Sequence, residues 1–193
     1  SEINNELMRE LLLDVESQVY SGNGTAPNMN GIRTVATAFA AGTFADTVDN
    51  ANEVDVLAVA ANQIALAEHD APNYIFMNPS DITALKMVKV SATDKRYVER
   101  LAIIAGSLTM DGIPIIGTTL VTAGQYLIGN FDLATIYDRG EVSIEVGRDS
   151  DDFTKNLVTV LAEWRGATVV KNNSRSAFIK GVFATDAAAL ETP

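Results

Sequence analysis

The spacing of the hydrophobic residues changes along this chain, and the change limits the folds that it can adopt. Near the N-terminus they recur at every fourth position, which predicts an amphipathic helix carrying Ile3, Leu7, Leu11, Val15 and Val19 on one side. From Gly112 onward, short apolar runs with a period of two are separated by Gly, Asn and Asp, which predicts strands. Because helices come early and strands late, the order favours an α+β fold over repeated βαβ units.

The same reasoning assigns the remaining segments. Helical spacing predicts helices over residues 53–68 and 80–87, and a short apolar run between them predicts a strand over 74–77. Further strands are predicted over 113–116, 125–128, 133–137, 142–146 and 177–183 and, as one long strand, over 157–170. Residues 91–111 are interpreted as a polar loop with a helical turn. The alanine-rich segment from residue 184 is expected to be mobile.

Composition and charge exclude several classes of protein. Of the 193 residues, 47% are hydrophobic and 20% are charged, which is ordinary for a globular domain and unlike a disordered chain. The 14 Lys and Arg against 25 Asp and Glu give a net charge of −11, which disfavours binding to nucleic-acid phosphates and to anionic membranes. No apolar run reaches the ~20 residues that cross a bilayer. The absence of cysteine excludes disulfides and thiolate metal sites.

The histidine and the glycine-rich turn have structural interpretations. His69 lies beside Asp70 near the predicted end of a helix, where the helix dipole favours a protonated imidazole. One histidine without any cysteine supplies too few ligands for zinc. The Gly-Asn-Gly-Thr sequence at residues 22–25 ends a helix and lacks the following Lys of a phosphate loop. We therefore interpret it as a helix C-cap and turn.

Three carboxylates cluster at Asp149, Asp151 and Asp152. An EF-hand loop would need a glycine at its sixth position and a glutamate at its twelfth, and neither falls in place. A solvated turn is therefore the preferred interpretation. The alternative is a small-molecule-binding or hydrolytic α+β domain that uses these residues and needs a concave pocket around them. The residues alone predict no catalytic group, no cofactor and no metal site.

Several short motifs follow one another in an order that is typical of one protein family. They are Gly22-Asn23-Gly24-Thr25 with Asn28 and Gly31-Ile32; Met77-Asn78-Pro79-Ser80-Asp81; Gly112-Ile113-Pro114-Ile115-Ile116; Gly129-Asn130-Phe131-Asp132; Asp138-Arg139; and Asp152-Phe153-Thr154-Lys155-Asn156 with Glu163 and Ala177-Phe178-Ile179-Lys180-Gly181-Val182-Phe183. Together they resemble the C-terminal two-thirds of the Hong Kong 97-like major capsid proteins of tailed bacteriophages. The resemblance extends over residues 15–183.

The resemblance implies an α+β fold made of two interleaved domains. A peripheral domain would combine a long spine helix with late strands, over residues 1–36 and 131–171. An axial domain would comprise residues 37–130 and 172–185, followed by a flexible tail at 186–193. The family also has an N-terminal arm and an extended hairpin loop before most of the spine helix. Because the sequence starts within or just before that helix, both are expected to be absent here.

The resemblance also implies a structural, non-enzymatic function. Copies of the protein are expected to form hexamers and pentamers of an icosahedral phage or prophage shell around double-stranded DNA. Portal, scaffold and maturation protease are the other partners expected from the family, without sequence-specific nucleic-acid binding or a membrane. The protein is expected in the host cytoplasm before assembly and in the virion afterwards. The alternative with the same fold is the shell protein of an encapsulin-like bacterial compartment.

Some members of the family join neighbouring subunits by Lys–Asn isopeptide bonds with the help of a glutamate. By resemblance, Asn156 corresponds to the asparagine and Glu163 to the glutamate. The family's lysine lies on the hairpin loop that is expected to be absent here. The alternative interpretation is that Asn156 caps a turn and Glu163 pairs with a neighbouring arginine.

Overall fold

Two of the described helices begin at recognisable asparagine caps. The computed structural model describes residues 2–88, 101–104, 107–140, 142–148 and 151–192. Its helices are α1 (Glu2–Ser21), α2 (Ile32–Val35), α3 (Glu53–Leu66), α4 (Pro79–Met87), α5 (Asp152–Lys155) and α6 (Phe183–Leu190). The Asn52 side chain accepts from the Val54 and Asp55 N–H groups at the start of α3. Asn78 accepts from Ser80 N–H at the start of α4. The predicted helices at the N-terminus, at 53–68 and at 80–87 are confirmed.

Within the described residues, the strands form one large sheet and two small ones. They are β1 (Thr37–Ala38), β2 (Tyr74–Met77), β3 (Leu101–Ile104), β4 (Ser107–Met110), β5 (Ile113–Gly117), β6 (Gln125–Gly129), β7 (Ala134–Asp138), β8 (Ser143–Gly147), β9 (Thr159–Glu163), β10 (Gly166–Val170) and β11 (Phe178–Val182). Seven of them form a sheet in the order β1-β11-β6-β2-β5-β4-β3, and the pairs β10-β7 and β8-β9 form two-stranded sheets. The mixture of helices with largely antiparallel strands confirms the predicted α+β class.

The chain divides into two compact units. Residues 1–34 and 135–169 form unit 1, and residues 35–134 and 170–193 form unit 2. Unit 1 contains α1, α5 and the strands from β7 to β10, apart from the first residue of β7 and the last of β10. Unit 2 contains the whole seven-stranded sheet with α3, α4 and α6. Each unit is therefore assembled from separate stretches of sequence.

The core of unit 2 is built on a row of isoleucines across four adjacent strands. Ile75 of β2 lies opposite Ile115 of β5 and Ile128 of β6, and Ile179 of β11 also lies opposite Ile128. All four side chains are buried, and α3 packs against β6 and β11 within the same cluster. Each fully buried side chain of this size stabilises the fold by roughly 1.5–3 kcal/mol.

Aromatic side chains lie together on the other face of the large sheet. Phe76 follows Ile75 of the row by one residue, and Phe178 precedes Ile179 by one residue. Because neighbouring side chains of a strand point to opposite faces, both rings point away from α3. The Phe131 ring lies 4.8 Å from the Phe76 ring and 5.3 Å from the Phe178 ring, both edge-on. Both faces of the central strands are therefore packed.

The predicted long strand over 157–170 is wrong. The segment forms β9 and β10, which are separated by Trp164 and Arg165 and belong to different sheets. The break is stabilised by Arg139 N–H, which donates to the Arg165 carbonyl at 2.9 Å. A side chain at Gly166 would collide with the Trp164 ring, so the bend requires glycine.

Two other expectations need correction. Residues 101–104 and 107–110 form β3 and β4 and not a loop, while residues 91–100, 105 and 106 lie outside the described residues. The tail expected to be mobile from residue 184, and flexible over 186–193, forms α6 through Leu190. Asp186 and Leu190 are buried, and the Leu190 carbonyl accepts from the Thr47 and Val48 N–H groups. These long-range contacts hold the segment in place.

A buried hydrogen bond attaches α6 to the large sheet. The Tyr126 hydroxyl of β6 donates to Asp186 Oδ2 at 2.8 Å, and Val182 N–H donates to the same oxygen at 2.9 Å. Burial raises the pKa of Asp186, and the two hydrogen bonds oppose this rise only in part. Burial and the nearby Asp186 carboxylate also raise the pKa of Tyr126, so the phenol remains a proton donor.

Gly181 of β11 leaves the space for this hydrogen bond. A Cβ at position 181 would collide with Asp186 Oδ2 and would lie 2.5 Å from the Tyr126 hydroxyl oxygen. We expect Gly181→Ala to lower the free energy of unfolding by about 2–3 kcal/mol, because the packed site must distort. The matched control is Gly147→Ala on β8, where a Cβ meets nothing within 4 Å. Equal denaturant midpoints for both variants in urea titrations would contradict this prediction.

The raised pKa of Asp186 makes one contribution to stability depend on pH. A carboxyl whose pKa is higher in the folded state stabilises the fold when protonated, and this stabilisation is lost as the pH rises through that pKa. Asp186→Asn keeps an acceptor oxygen for the Tyr126 hydroxyl and for Val182 N–H but carries no charge. We expect the variant to be at least as stable as wild type at pH 7. Its advantage should shrink as the pH falls toward 4, in paired urea titrations. An offset that stays constant over that range would contradict the prediction.

Candidate functional site

Unit 1 has little core of its own. Among its described hydrophobic residues Ile32 alone is buried, and α1 buries no residue at all. The unit instead exposes many large apolar side chains: Ile3, Met8, Leu12, Leu13, Ile136, Tyr137, Val146, Leu157, Val158, Leu161 and Val169. Exposed apolar area of this extent on one unit marks a surface that contacts another molecule.

The helix α1 carries two different exposed flanks. One flank is a shallow groove lined by Met8, Leu12 and Leu13 together with polar neighbours. The other flank presents Glu2, Glu6 and Glu10 at intervals of four residues, beside Ile3 and Leu7. These are open surfaces suited to contact with another protein, and they lack the converging polar groups of a catalytic pocket.

Asn156 lies on an exposed turn between α5 and β9. Its backbone has φ 54° and ψ 40°, the left-handed conformation that asparagine tolerates at a helix C-terminus. Its N–H donates to the Asp152 carbonyl, and its side chain is exposed. The amide is therefore accessible to another copy of the protein.

Glu163 lies at the other end of the same strand. Its carboxylate pairs with the Arg165 guanidinium at 3.5 Å, and both side chains are about half exposed or more. It lies seven positions after Asn156, and the five-residue strand β9 alone spans roughly 13 Å between them. The fold therefore does not bring Asn156 and Glu163 of one copy together.

The aspartates of the acidic break have local partners. Asp151 forms an ion pair with Lys155, and Asp152 Oδ2 accepts from the Thr159 hydroxyl at 2.8 Å. Asp149 lies outside the described residues. Within the described part of the chain, no group of three or more His, Cys, Asp and Glu residues is arranged to hold a metal ion.

His69 and the Gly22–Thr25 turn also take part in structural contacts. His69 Nε2 and the Ser176 hydroxyl are 2.8 Å apart, which joins the loop after α3 to the segment before β11. In the Gly22–Thr25 turn, the Asn23 side chain accepts from Thr25 N–H and from the Asn28 amide. The turn therefore closes on itself through an asparagine side chain. None of the described helices is long and apolar enough to span a membrane.

Unit 2 contains a groove that the sequence does not predict. It is lined by Ala51, Asn52, Glu53, Asp81, Ala84, Gly124, Phe183, Ala184 and Ala187, and its volume is about 330 Å³. The starts of α3, α4 and α6 contribute its walls, and these segments are far apart in sequence. Only the capping motifs at Asn52 and Asn78 signal that helix starts of this kind are present.

Comparison with known proteins agrees with this description. The sequence profile of the phage capsid family matches residues 1–183. The major capsid protein of Enterobacteria phage HK97 is 35% identical over 190 residues, which are 96% of this chain and 46% of that protein. The chain thus spans about half the length of this relative.

One solved structure shows the same fold. The capsid of an empty GTA particle, computed with C5 symmetry, superposes with a TM-score of 0.64 at 17% identity, covering 94% of this chain and 65% of that one. A virus-like particle from Pyrococcus furiosus superposes with a TM-score of 0.48 at 15% identity, covering 89% and 64%. The fold predicted by resemblance, that of the Hong Kong 97-like capsid proteins, is confirmed by the first of these and by the profile. The chain belongs to the phage capsid family.

Proposed function

We propose that this chain is the shell-forming part of a phage or prophage major capsid protein. Its copies form hexamers and pentamers of an icosahedral shell around double-stranded DNA. The observation that carries the proposal is that unit 1 exposes half of its described large apolar side chains and buries only Ile32 among them. Such a unit is stabilised when neighbouring copies cover it. The net charge of −11 lets the shell enclose DNA without binding it.

The two units correspond, in this proposal, to the domains expected from the family. Unit 1 is the peripheral domain with α1 as the spine helix, and unit 2 is the axial domain. The action of the protein is contact between copies and not catalysis. Portal, scaffold and maturation protease are its further partners, and assembly in the host cytoplasm precedes its place in the virion. No observation favours an encapsulin-like compartment over this assignment.

Asn156 is the proposed acceptor of an inter-subunit isopeptide bond. A lysine amine of another copy would attack the Asn156 side-chain carbonyl carbon, and ammonia would leave as the amide bond forms. Because β9 separates Asn156 from Glu163 in one copy, the assisting carboxylate would come from the Glu163 of a further copy. The exposure of both residues supports this arrangement.

Removing exposed apolar side chains from unit 1 tests the shell function. Leu157 and Leu161 are 52% and 49% exposed, so changing both to Gln should leave the thermal unfolding of the subunit within about 0.5 kcal/mol of wild type. Shells imaged by electron microscopy after bacterial expression should become rare, because every contact repeated around the shell is weakened. Leu66→Gln, at a 75% exposed position of unit 2, is the matched control. Normal shells from the double variant would count against the proposal.

Cross-linking is tested separately by denaturing gel electrophoresis. Shells of a wild-type protein that includes the family's hairpin loop and its lysine should contain subunit ladders that survive boiling in detergent, and Asn156→Ala should abolish them while shells still form. Asn173→Ala, at another exposed asparagine, should leave the ladders unchanged. Glu163→Gln should slow their appearance by roughly 10²-fold or more, as for loss of a general base. Wild-type shells without ladders would refute cross-linking and leave the shell function standing.

A further inference from the structure

The groove of unit 2 combines an apolar floor with an acidic rim. Phe183, Ala84 and Ala187 supply apolar surface, and Phe183 is almost fully buried. The rim carries the Glu53 and Asp81 carboxylates, and the lining residues include no basic side chain. Asp81 Oδ2 accepts from Gly124 N–H at 2.7 Å, which fixes one wall. At about 330 Å³, the groove is at the small end of ligand pockets. It has room for one or two side chains.

The Glu53 and Asp81 carboxylates of the rim favour a cationic occupant. Glu53 has no hydrogen-bond or ion-pair partner within the described part of the chain, and both carboxylates are partly accessible. A side chain that fits must bring an apolar stem to the floor and a positive charge to the rim. Lysine has this form, since its four methylene groups pack on apolar surface while the ammonium group remains near water.

The opposite end of α4 presents such a side chain. Lys86 is exposed, and no described carboxylate pairs with it. Met87 beside it is an apolar residue that is 63% exposed. Methionine is flexible and can fill irregular cavities. Lys86 comes five residues after Asp81, which is about 140° around the helix and ~7.5 Å along its axis. Lys86 and the groove therefore lie on different sides of one helix.

The groove and the Lys86–Met87 end of α4 are two different patches with complementary charges. When one patch of a copy binds the other patch of the next copy, the contact is head-to-tail. Such heterologous contacts close into rings when the rotation between copies permits it. We infer that the groove of one copy receives Lys86 and Met87 of the next copy, with the ammonium group between Glu53 and Asp81. This contact rests on the proposed shell function, for which it supplies one specific interface within a ring of subunits. A contact of this type is weak alone and gains strength from repetition.

Charge exchange tests the contact on the 193-residue chain. Self-association is measured by sedimentation velocity from about 10 μM to about 1 mM, at ~20 mM and ~500 mM salt. Glu53→Lys and Lys86→Glu should each raise the dissociation constant by about tenfold or more at low salt. The double variant Glu53→Lys/Lys86→Glu should recover wild-type association. An equimolar mixture of the two single variants should also recover wild-type association. In the mixture, the groove of each variant can bind residue 86 of the other variant, which carries the opposite charge.

Matched controls separate this contact from general charge effects. Asp70→Lys and Lys171→Glu change exposed charges elsewhere on unit 2 and should leave the dissociation constant within about twofold of wild type. Thermal melts of every variant should coincide with wild type. A wild-type chain that stays monomeric throughout, or single variants without effect, or absent recovery in the mixture and the double variant, would each overturn the contact. Shell formation is read independently by electron microscopy, so the proposed function can stand while this contact fails.

Discussion

The isoleucine row of β5, β2, β6 and β11 is the interaction on which the rest of unit 2 depends. Register places Ile75, Ile115, Ile128 and Ile179 side by side, and α3 covers them. Because this cluster fixes α3 relative to the sheet, it also fixes the helix starts that form the groove. Attachment of α6 through Tyr126 and Asp186 then completes both the core and the groove wall.

Burial is distributed unequally between the two units, and this inequality supports the proposed assembly. The core cluster belongs to unit 2, whereas α1 in unit 1 contributes no buried residue. A subunit built in this way has one part with a continuous hydrophobic core and one part that exposes half of its described large apolar side chains. Exposed apolar area of this kind is costly in an isolated protein, because it promotes uncontrolled association. It is useful in a shell, where every copy has neighbours.

The sequence predicted the helices that are specified by residues within or next to them. The four-residue spacing of α1 and the capping asparagines of α3 and α4 lie within a few residues of the structures they specify. It failed where a partner is distant: α6 depends on a hydrogen bond between residues 60 positions apart. The break between β9 and β10 arises because the two strands pair in separate sheets, and no local sequence pattern predicts this pairing. Asn156 and Glu163 were found by resemblance alone, and their separation along β9 required the structure. The groove was missed because three distant segments supply its walls.

The character of the surface charges explains why specific contacts are needed at all. A net charge of −11 makes copies of the chain repel one another on average, so association depends on places where the local charge reverses. Lys86 and the Arg165 guanidinium are among the exposed cations, while Glu53 and Asp81 rim a groove. In the proposed shell, general repulsion combined with a few attractive pairs would disfavour incorrect orientations of neighbouring copies.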